Sequence, residues 1–562
     1  MKNSILLSIL SLFFIQCISV KQKVKTASKT ATNTNAQAAE STKPKLVVGI
    51  VVDQMRYDYL TRFESKYGNG GFMRMINEGY NCKNNHYNYI PTYTGPGHAS
   101  VYTGTTPENH GIIANDWYDK FIKKEVYCAS DDRQSSVGVE GQWAGKMSPH
   151  RMQTTTVTDQ LRLDTQQRGK VIGIAIKDRG AILPAGHAAN GAYWFYGKDK
   201  GSWITSTYYR NELPTWVKEF NAADEAEKYL TTWNTLYDIN TYTESDIDLS
   251  AYESSFKGKP NPTFPYDLKA LQAENGGFDV LKATAYGNSL TTDFAIAAIK
   301  GENLGKDVDT DFLAVSYSST DYVGHRFGVN SKEIQDTYLR LDQDIERLFA
   351  VLDAEVGKGN YTIFLTADHA AVHVPSFLQE MKIPAGYFDH GALEKHLKSF
   401  LNTMYGSEKL IENVSSGQVF LNYAEIKRLQ LSATAIENAL QRELLSYDKI
   451  SKVYTRTAFL NSEFTHGIAA ALQRGFNQKR SGDVCYVLDI ATISYSRTGS
   501  THGSGFNYDT HVPLLFYGNG VQQGETLQRT KITDVAPTIS ALLEISLPNA
   551  ATGNPIESAL KH

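Results

Sequence analysis

Asp53, Asp321-Tyr-Val-Gly-His325, Asp368-His369 and His502 bring three carboxylates and three imidazoles from four well-separated segments. Carboxylate with imidazole is a hard-to-borderline donor set of the kind that holds zinc, and six such donors suit two ions. Asp321 and His325 fall on one side if a helical turn begins there. Asp368 and His369 are adjacent, and share a metal only where a strand breaks into a loop. A single aspartate after a strand is more often a helix cap or a turn residue, so the set carries the argument.

Thr94-Gly-Pro-Gly-His-Ala-Ser100 adds a hydroxyl at a helix entrance, where free N–H groups favour an anion. Threonine also serves there as a plain N-cap. Beside metals it can be a nucleophile, because coordination lets a weak neutral hydroxyl react as an alkoxide. Lys177 and Arg179 are two residues apart at a strand end and can point the same way, the alternative being a salt-bridged strand terminus.

The elements that must position these groups are apolar runs. Leu46–Val52 is continuous, as expected of a strand buried on both faces of a parallel sheet. Similar runs occupy 171–176, 312–315, 361–365 and 512–516, with helical patterns between them, including 331–356 and 534–545. Asp53, Lys177, Asp321 and Asp368 each follow such a run, and ligands in open α/β sheets bind beyond the carboxyl ends of the strands. The fold class is therefore α/β, a mostly parallel central sheet flanked by helices on both faces. Stretches near 186–288 and 370–501 break the rhythm and read as insertions capping the active edge of one catalytic domain, 45–562.

The chain has 562 residues, 41% hydrophobic and 21% charged, with a formal net charge of -4. That affords a large core and gives no basic field for nucleic acid. Lys2 followed by the apolar stretch 5–20 reads as a signal peptide in residues 1–20, too short for a membrane span, and no later stretch is long enough for one. Export to the periplasm, the outer membrane or the cell surface is expected. Cys17 stands where a lipoprotein signal places its lipid-bearing cysteine, although Gln16 is not the small residue such sites prefer; the alternative is removal with the peptide. Residues 21–44 hold few large apolar side chains and read as a disordered tether. Cys82, Cys128 and Cys485 are too few for a disulfide scaffold, with one bridge, Cys82 to Cys128, left open.

Val51-Val-Asp53-Gln-Met-Arg56, Thr94-Gly-Pro-Gly-His98, Gly111-Ile-Ile-Ala-Asn115-Asp-Trp-Tyr118, Lys177-Asp-Arg179, Ser319-Thr-Asp321-Tyr-Val-Gly-His325 and Thr366-Ala-Asp368-His369 together resemble the alkaline phosphatase superfamily. The likeness is to the phosphate-irrepressible periplasmic alkaline phosphatases of Bacteroidota, with the type I phosphodiesterase/nucleotide pyrophosphatase-like fold. It spans the chain from about Lys45 onward.

The resemblance implies one zinc on Asp321, His325 and His502 and a second on Asp53, Asp368, His369 and the Thr94 oxygen. It implies phosphoryl contacts from Asn115, Lys177 and Arg179, and no magnesium requirement, because the basic pair stands where other members use an arginine and a third metal. The expected activity is broad hydrolysis of phosphate monoesters through a phosphothreonine, between metals about 4 Å apart, by a monomer. Cationic contacts to three free oxygens favour monoesters over diesters, which weighs against the alternative of a nucleotide pyrophosphatase or phosphodiesterase. A sulfatase would carry a C/S-x-P-x-R motif in place of Thr94-Gly-Pro-Gly-His. A non-catalytic periplasmic zinc-binding protein would need neither Thr94 nor the basic pair. His98, His110 and His187 are read as structural.

Overall fold

The structure, a computed structural model, describes residues 43–141 and 143–561. The expected signal peptide, Cys17 and nearly all of the tether lie outside the described residues. The main sheet has ten strands: β1 (Leu46–Val52), β2 (Tyr80–Cys82), β3 (Ser136–Val137), β4 (Val171–Ala175), β5 (Gly191–Tyr196), β6 (Ser202–Ser206), β7 (Asp311–Tyr317), β8 (Tyr361–Thr366), β9 (Leu514–Gly518) and β10 (Gly524–Thr526). Their order is β10-β2-β9-β8-β1-β7-β4-β5-β6-β3. The centre, β8 through β5, is parallel, and β1, β4, β7 and β8 are buried along their whole length. Burial on both faces is why their sequences are continuously apolar and do not alternate. The flanks are mixed: β9 against β8, β2 against β9, β6 against β5 and β3 against β6 are antiparallel, and the edge strand β10 runs parallel to β2.

Helices cover both faces. Gly49, Ala314 and Gly173 lie side by side across β1, β7 and β4. On that face a Cβ at Gly49 would strike Tyr102 of α1 (Thr94–Thr103), and one at Gly173 would strike the Ala181 carbonyl of α2 (Asp178–Ala185). The missing side chains let both helices sit directly on the strands. Tyr317, three residues beyond Ala314, points to the opposite face, where its hydroxyl meets Thr292 of α3 (Ala285–Gly301) at 3.0 Å. The short α4 (Ser319–Phe327) leads into α5 (Lys332–Leu352), whose Ser331 cap accepts from the Ile334 N–H at 3.1 Å. Its apolar stripe, including Ile334, Tyr338, Leu341, Ile345 and Leu348, is buried.

The two stretches read as insertions differ in kind. Residues 186–288 contribute β5 and β6 to the main sheet, so only the part after Ser206 leaves it. Residues 370–501 hold a separate four-stranded sheet, Ile411–Ser415, Gln418–Leu421, Val484–Leu488 and Ile450–Thr455 in spatial order. Leu393, Leu397, Val419, Leu440 and Val453 form a core of its own. Cys82, Cys128 and Cys485 are buried free thiols, so the bridge left open between Cys82 and Cys128 is not formed.

Candidate active site

Asp53 follows β1 directly, and its N–H donates to the Tyr317 carbonyl of β7 at 3.0 Å. Lys177 stands between β4 and α2, Asp321 in the first turn of α4 after β7, and Asp368-His369 just beyond β8. Four parallel strands that are neighbours in space thus deliver their carboxyl ends to one place. Thr94 opens α1 and His502 lies in the loop before β9.

Two donor groups result: Asp321, His325 and His502, and Asp53, Asp368 and His369, with the ligand atoms of each within 4.8 Å of one another. All three imidazoles point the same nitrogen inward. His325 Nδ1 donates to the Ser500 carbonyl at 2.7 Å, His502 Nδ1 to Thr92 at 2.7 Å and His369 Nδ1 to Ala370 at 3.1 Å. In the neutral ring these bonds leave the lone pair on Nε2, the arrangement of a metal-ligating histidine. Burial, reinforced at His502 by the ring of His369, holds both of these imidazoles below the usual histidine range, so they are neutral at neutral pH. In the second group Asp53 Oδ1 and His369 Nε2 are buried with no hydrogen-bond partner, and Asp368 Oδ2 has none but the His98 ring 3.3 Å away. Donor atoms left this open and gathered within 4.8 Å fit a divalent cation.

The charge balance points the same way. Burial, then the neighbouring Asp321 and Asp368, push the Asp53 carboxyl well above its ordinary range. Burial also works to raise Asp321, but His325 and Lys177 hold it well below the usual value. The Lys177 ammonium lies 2.6 Å from Asp53 Oδ2 and 2.5 Å from Asp321 Oδ2, bridging the two groups. One ammonium among three buried carboxylates leaves negative charge uncompensated.

Thr94 is buried and is the first residue of α1, whose N-cap is Tyr93 and not the threonine. The Thr94 Oγ1 lies 3.5 Å from Lys177 Nζ and 3.4 Å from Arg179 Nη2. Arg179 Nε is buried without a partner, and Asn115 spends its carbonyl oxygen on the Gly95 N–H at 2.7 Å. Hydroxyl, guanidinium and amide therefore meet at the start of α1.

Compared with known protein families, residues 47–511 match the type I phosphodiesterase / nucleotide pyrophosphatase family. The chain belongs to that family. Among curated relatives, alkaline phosphatase PafA of Elizabethkingia meningoseptica is 45% identical over 522 residues, covering 92% of this chain and 95% of the relative. A protein of Myroides odoratus named calcium-transporting ATPase is 46% identical over 524 residues, with the same coverage of each chain. The crystal structure of wild-type alkaline phosphatase PafA superposes with a TM-score of 0.89 at 44% identity, covering 92% of this chain and 99% of that one.

Within this type I phosphodiesterase / nucleotide pyrophosphatase fold, two residues at the site were not apparent from the sequence. Gln54 donates from Nε2 to Asp321 Oδ1 at 2.6 Å and from its backbone N–H to Asp368 Oδ1 at 3.1 Å, tying the two donor groups together. It does so at φ +65°, a left-handed conformation uncommon for a residue other than glycine. Gly324 makes room for it, since a Cβ there would collide with the Gln54 amide. His98, read as structural, donates from Nδ1 to the Thr94 carbonyl at 2.9 Å, and its Nε2 pairs with Ser316 Oγ at 2.8 Å. The same Nδ1 is 3.3 Å from Asp368 Oδ2. It therefore links the start of α1 to a donor carboxylate. His110 pairs with Ser100 and His187 with the Thr154 carbonyl, outside both groups.

Groups that orient a ligand typically cost roughly 10- to 100-fold in metal affinity when lost. Gln54→Ala should weaken metal retention by about that factor, read by chelator competition. Unchanged retention would show that the bond to Asp321 does not orient the donors.

Proposed function

We propose that the protein is an alkaline phosphatase that hydrolyses phosphate monoesters with broad specificity to an alcohol and inorganic phosphate. The carrying observation is the Thr94 hydroxyl at the start of α1, flanked by Lys177 and Arg179 beside the two donor groups. The names of the PafA relatives support the same reading.

Asp321, His325 and His502 would hold one zinc, and Asp53, Asp368 and His369 with the Thr94 oxygen the other. Bound there, the ions supply positive charge that favours the ionised threonine and the departing alkoxide. The Thr94 oxygen attacks phosphorus in line; the new bond forms as the bond to the alcohol oxygen breaks, giving phosphothreonine. Water then attacks phosphorus, the Thr94–phosphorus bond breaks, and inorganic phosphate leaves. Through both steps Arg179, Lys177 and the Asn115 amide hydrogens bind the non-bridging oxygens, which is most of what phosphoryl transfer asks of a protein. Lys177, which balances Asp53 and Asp321, would be free to turn to the substrate once bound cations took over that charge.

The proposal includes no magnesium requirement, a monomer, and export to the periplasm or cell surface, with or without lipid on Cys17. It also places the 370–501 insertion as a cap over the site. No helix among the described residues is long and apolar enough to cross a membrane.

The test is an aryl phosphate monoester against the matching diester, with zinc supplied, for wild type, Lys177→Ala and Arg179→Ala. Wild type should prefer the monoester, and each variant should lose monoester kcat/KM by roughly 100-fold, with diester turnover less affected. A wild-type preference for the diester would make the protein a phosphodiesterase.

A further inference from the structure

A cavity of about 360 Å³ opens beside the site, within the size range of small-molecule sites. It lies between residues 90–93, the 501–509 segment and the inserted domain. Tyr93 and His502 line it, and their rings meet edge to face at 5.7 Å. One precedes the Thr94 hydroxyl in sequence, and the other belongs to the Asp321 donor group. The cavity and the reaction centre therefore share a wall on the His502 side.

The rest of the lining is chemically selective. Ile90, Leu472, Phe476, Val487, Leu488 and Phe506 supply apolar and aromatic surface. Among the described residues no lysine or arginine lines the cavity, and its formal charges are Asp489 and Asp509. The Asp509 carboxylate accepts from the Ser504 N–H at 2.8 Å and its hydroxyl at 2.6 Å. A second phosphate or a carboxylate on the substrate would find no cation here and would face two acids, whereas a flat uncharged ring would bury its surface against Phe476 and Phe506.

We infer that this cavity receives the leaving alcohol of the monoester and favours an uncharged aromatic alcohol over a small aliphatic or further phosphorylated one. The inference rests on the phosphatase reading, in which the alcohol departs on the His502 side while Arg179 holds the phosphoryl group. About two thirds of the lining comes from residues 370–501, so that stretch selects the leaving group and the parallel sheet supplies the chemistry.

Naphthyl phosphate and ethyl phosphate, assayed on zinc-loaded wild type, Leu488→Trp and Leu488→Ala, test this. Leu488 lines the cavity and belongs to neither donor group, and ethyl phosphate turnover reports that each variant is folded. Filling the space with Trp should raise KM for naphthyl phosphate about tenfold, and Ala should raise it by a smaller factor, with KM and kcat for ethyl phosphate unchanged. Naphthyl phosphate KM unchanged in both variants, or raised equally for both esters, would overturn the inference. Wild type that turns over neither ester would overturn the phosphatase reading beneath it.

Discussion

Thr94→Ala should lower kcat/KM for an aryl phosphate by about 10⁴-fold or more while the protein keeps its metal. The substitution removes an oxygen that Lys177 and Arg179 both approach, and the N-cap of α1 is Tyr93, which it leaves in place. His98 holds the Thr94 carbonyl, not its side chain, so the backbone stays placed. Asp53, Asp368 and His369 still present three donors, and metal content should fall little. Thr94→Ser keeps the oxygen and loses only a methyl group, and should retain most of the activity that alanine loses. Wild-type turnover by Thr94→Ala with metal bound would mean that water attacks phosphorus directly.

Removing the metal should abolish turnover and also destabilise the fold, the more so as pH rises. In the metal-free protein Asp53 is held well above the ordinary carboxyl range by burial and by Asp321 and Asp368. A carboxyl with a raised folded-state pKa binds more protons folded than unfolded, so stability falls as pH rises from the ordinary value toward the raised one. A cation between these carboxylates removes that penalty, and binding also stabilises by mass action. The difference in Tm between zinc-loaded and stripped protein should therefore widen from pH 5 to pH 8. Groups distant from the site cancel in that difference. Zinc should restore activity to stripped protein and magnesium alone should not. A Tm difference that narrows over this range would contradict the charge balance drawn for Asp53, Asp321 and Asp368.

The centre of the fold was legible because its strands are buried on both faces: Leu46–Val52 appears with the expected limits, and the runs from 171, 312 and 361 sit in the parallel core. The helix expected over 331–356 is α5 from Lys332 to Leu352, followed by a wider π turn over Asp353–Gly357. The run at 512–516 begins its strand later, at Leu514, because Pro513 has no N–H for the ladder. The sheet's margins were not legible. Tyr80–Cys82 and Ser136–Val137 are too short to carry a period, and Gly191–Tyr196 and Ser202–Ser206 sit in a tyrosine- and tryptophan-rich stretch that looks like an insertion.

At the site, the donor aspartates were visible because each follows an apolar run. Thr94, Asn115, Lys177 and Arg179 stood out as motifs; Lys177 and Arg179 approach the Thr94 hydroxyl, and Asn115 accepts from the N–H of the next residue, Gly95. Gln54 was hidden, since its role depends on a left-handed backbone and on the space at Gly324, neither of which its residue type announces. His98 was hidden because its partners, Ser316 and Asp368, are distant in sequence. The cavity beside His502 is assembled from the loops around Ile90 and Phe506 and from residues within 370–501, so no local pattern encodes it.

The central claim is a double displacement through Thr94, and the most direct measurement is the stereochemical course at phosphorus. A monoester made chiral with oxygen isotopes would be used to transfer its phosphoryl group to an alcohol acceptor by the zinc-loaded enzyme. Two in-line displacements, one by Thr94 and one by the acceptor, predict retention of configuration; inversion would show a single displacement and contradict the phosphothreonine.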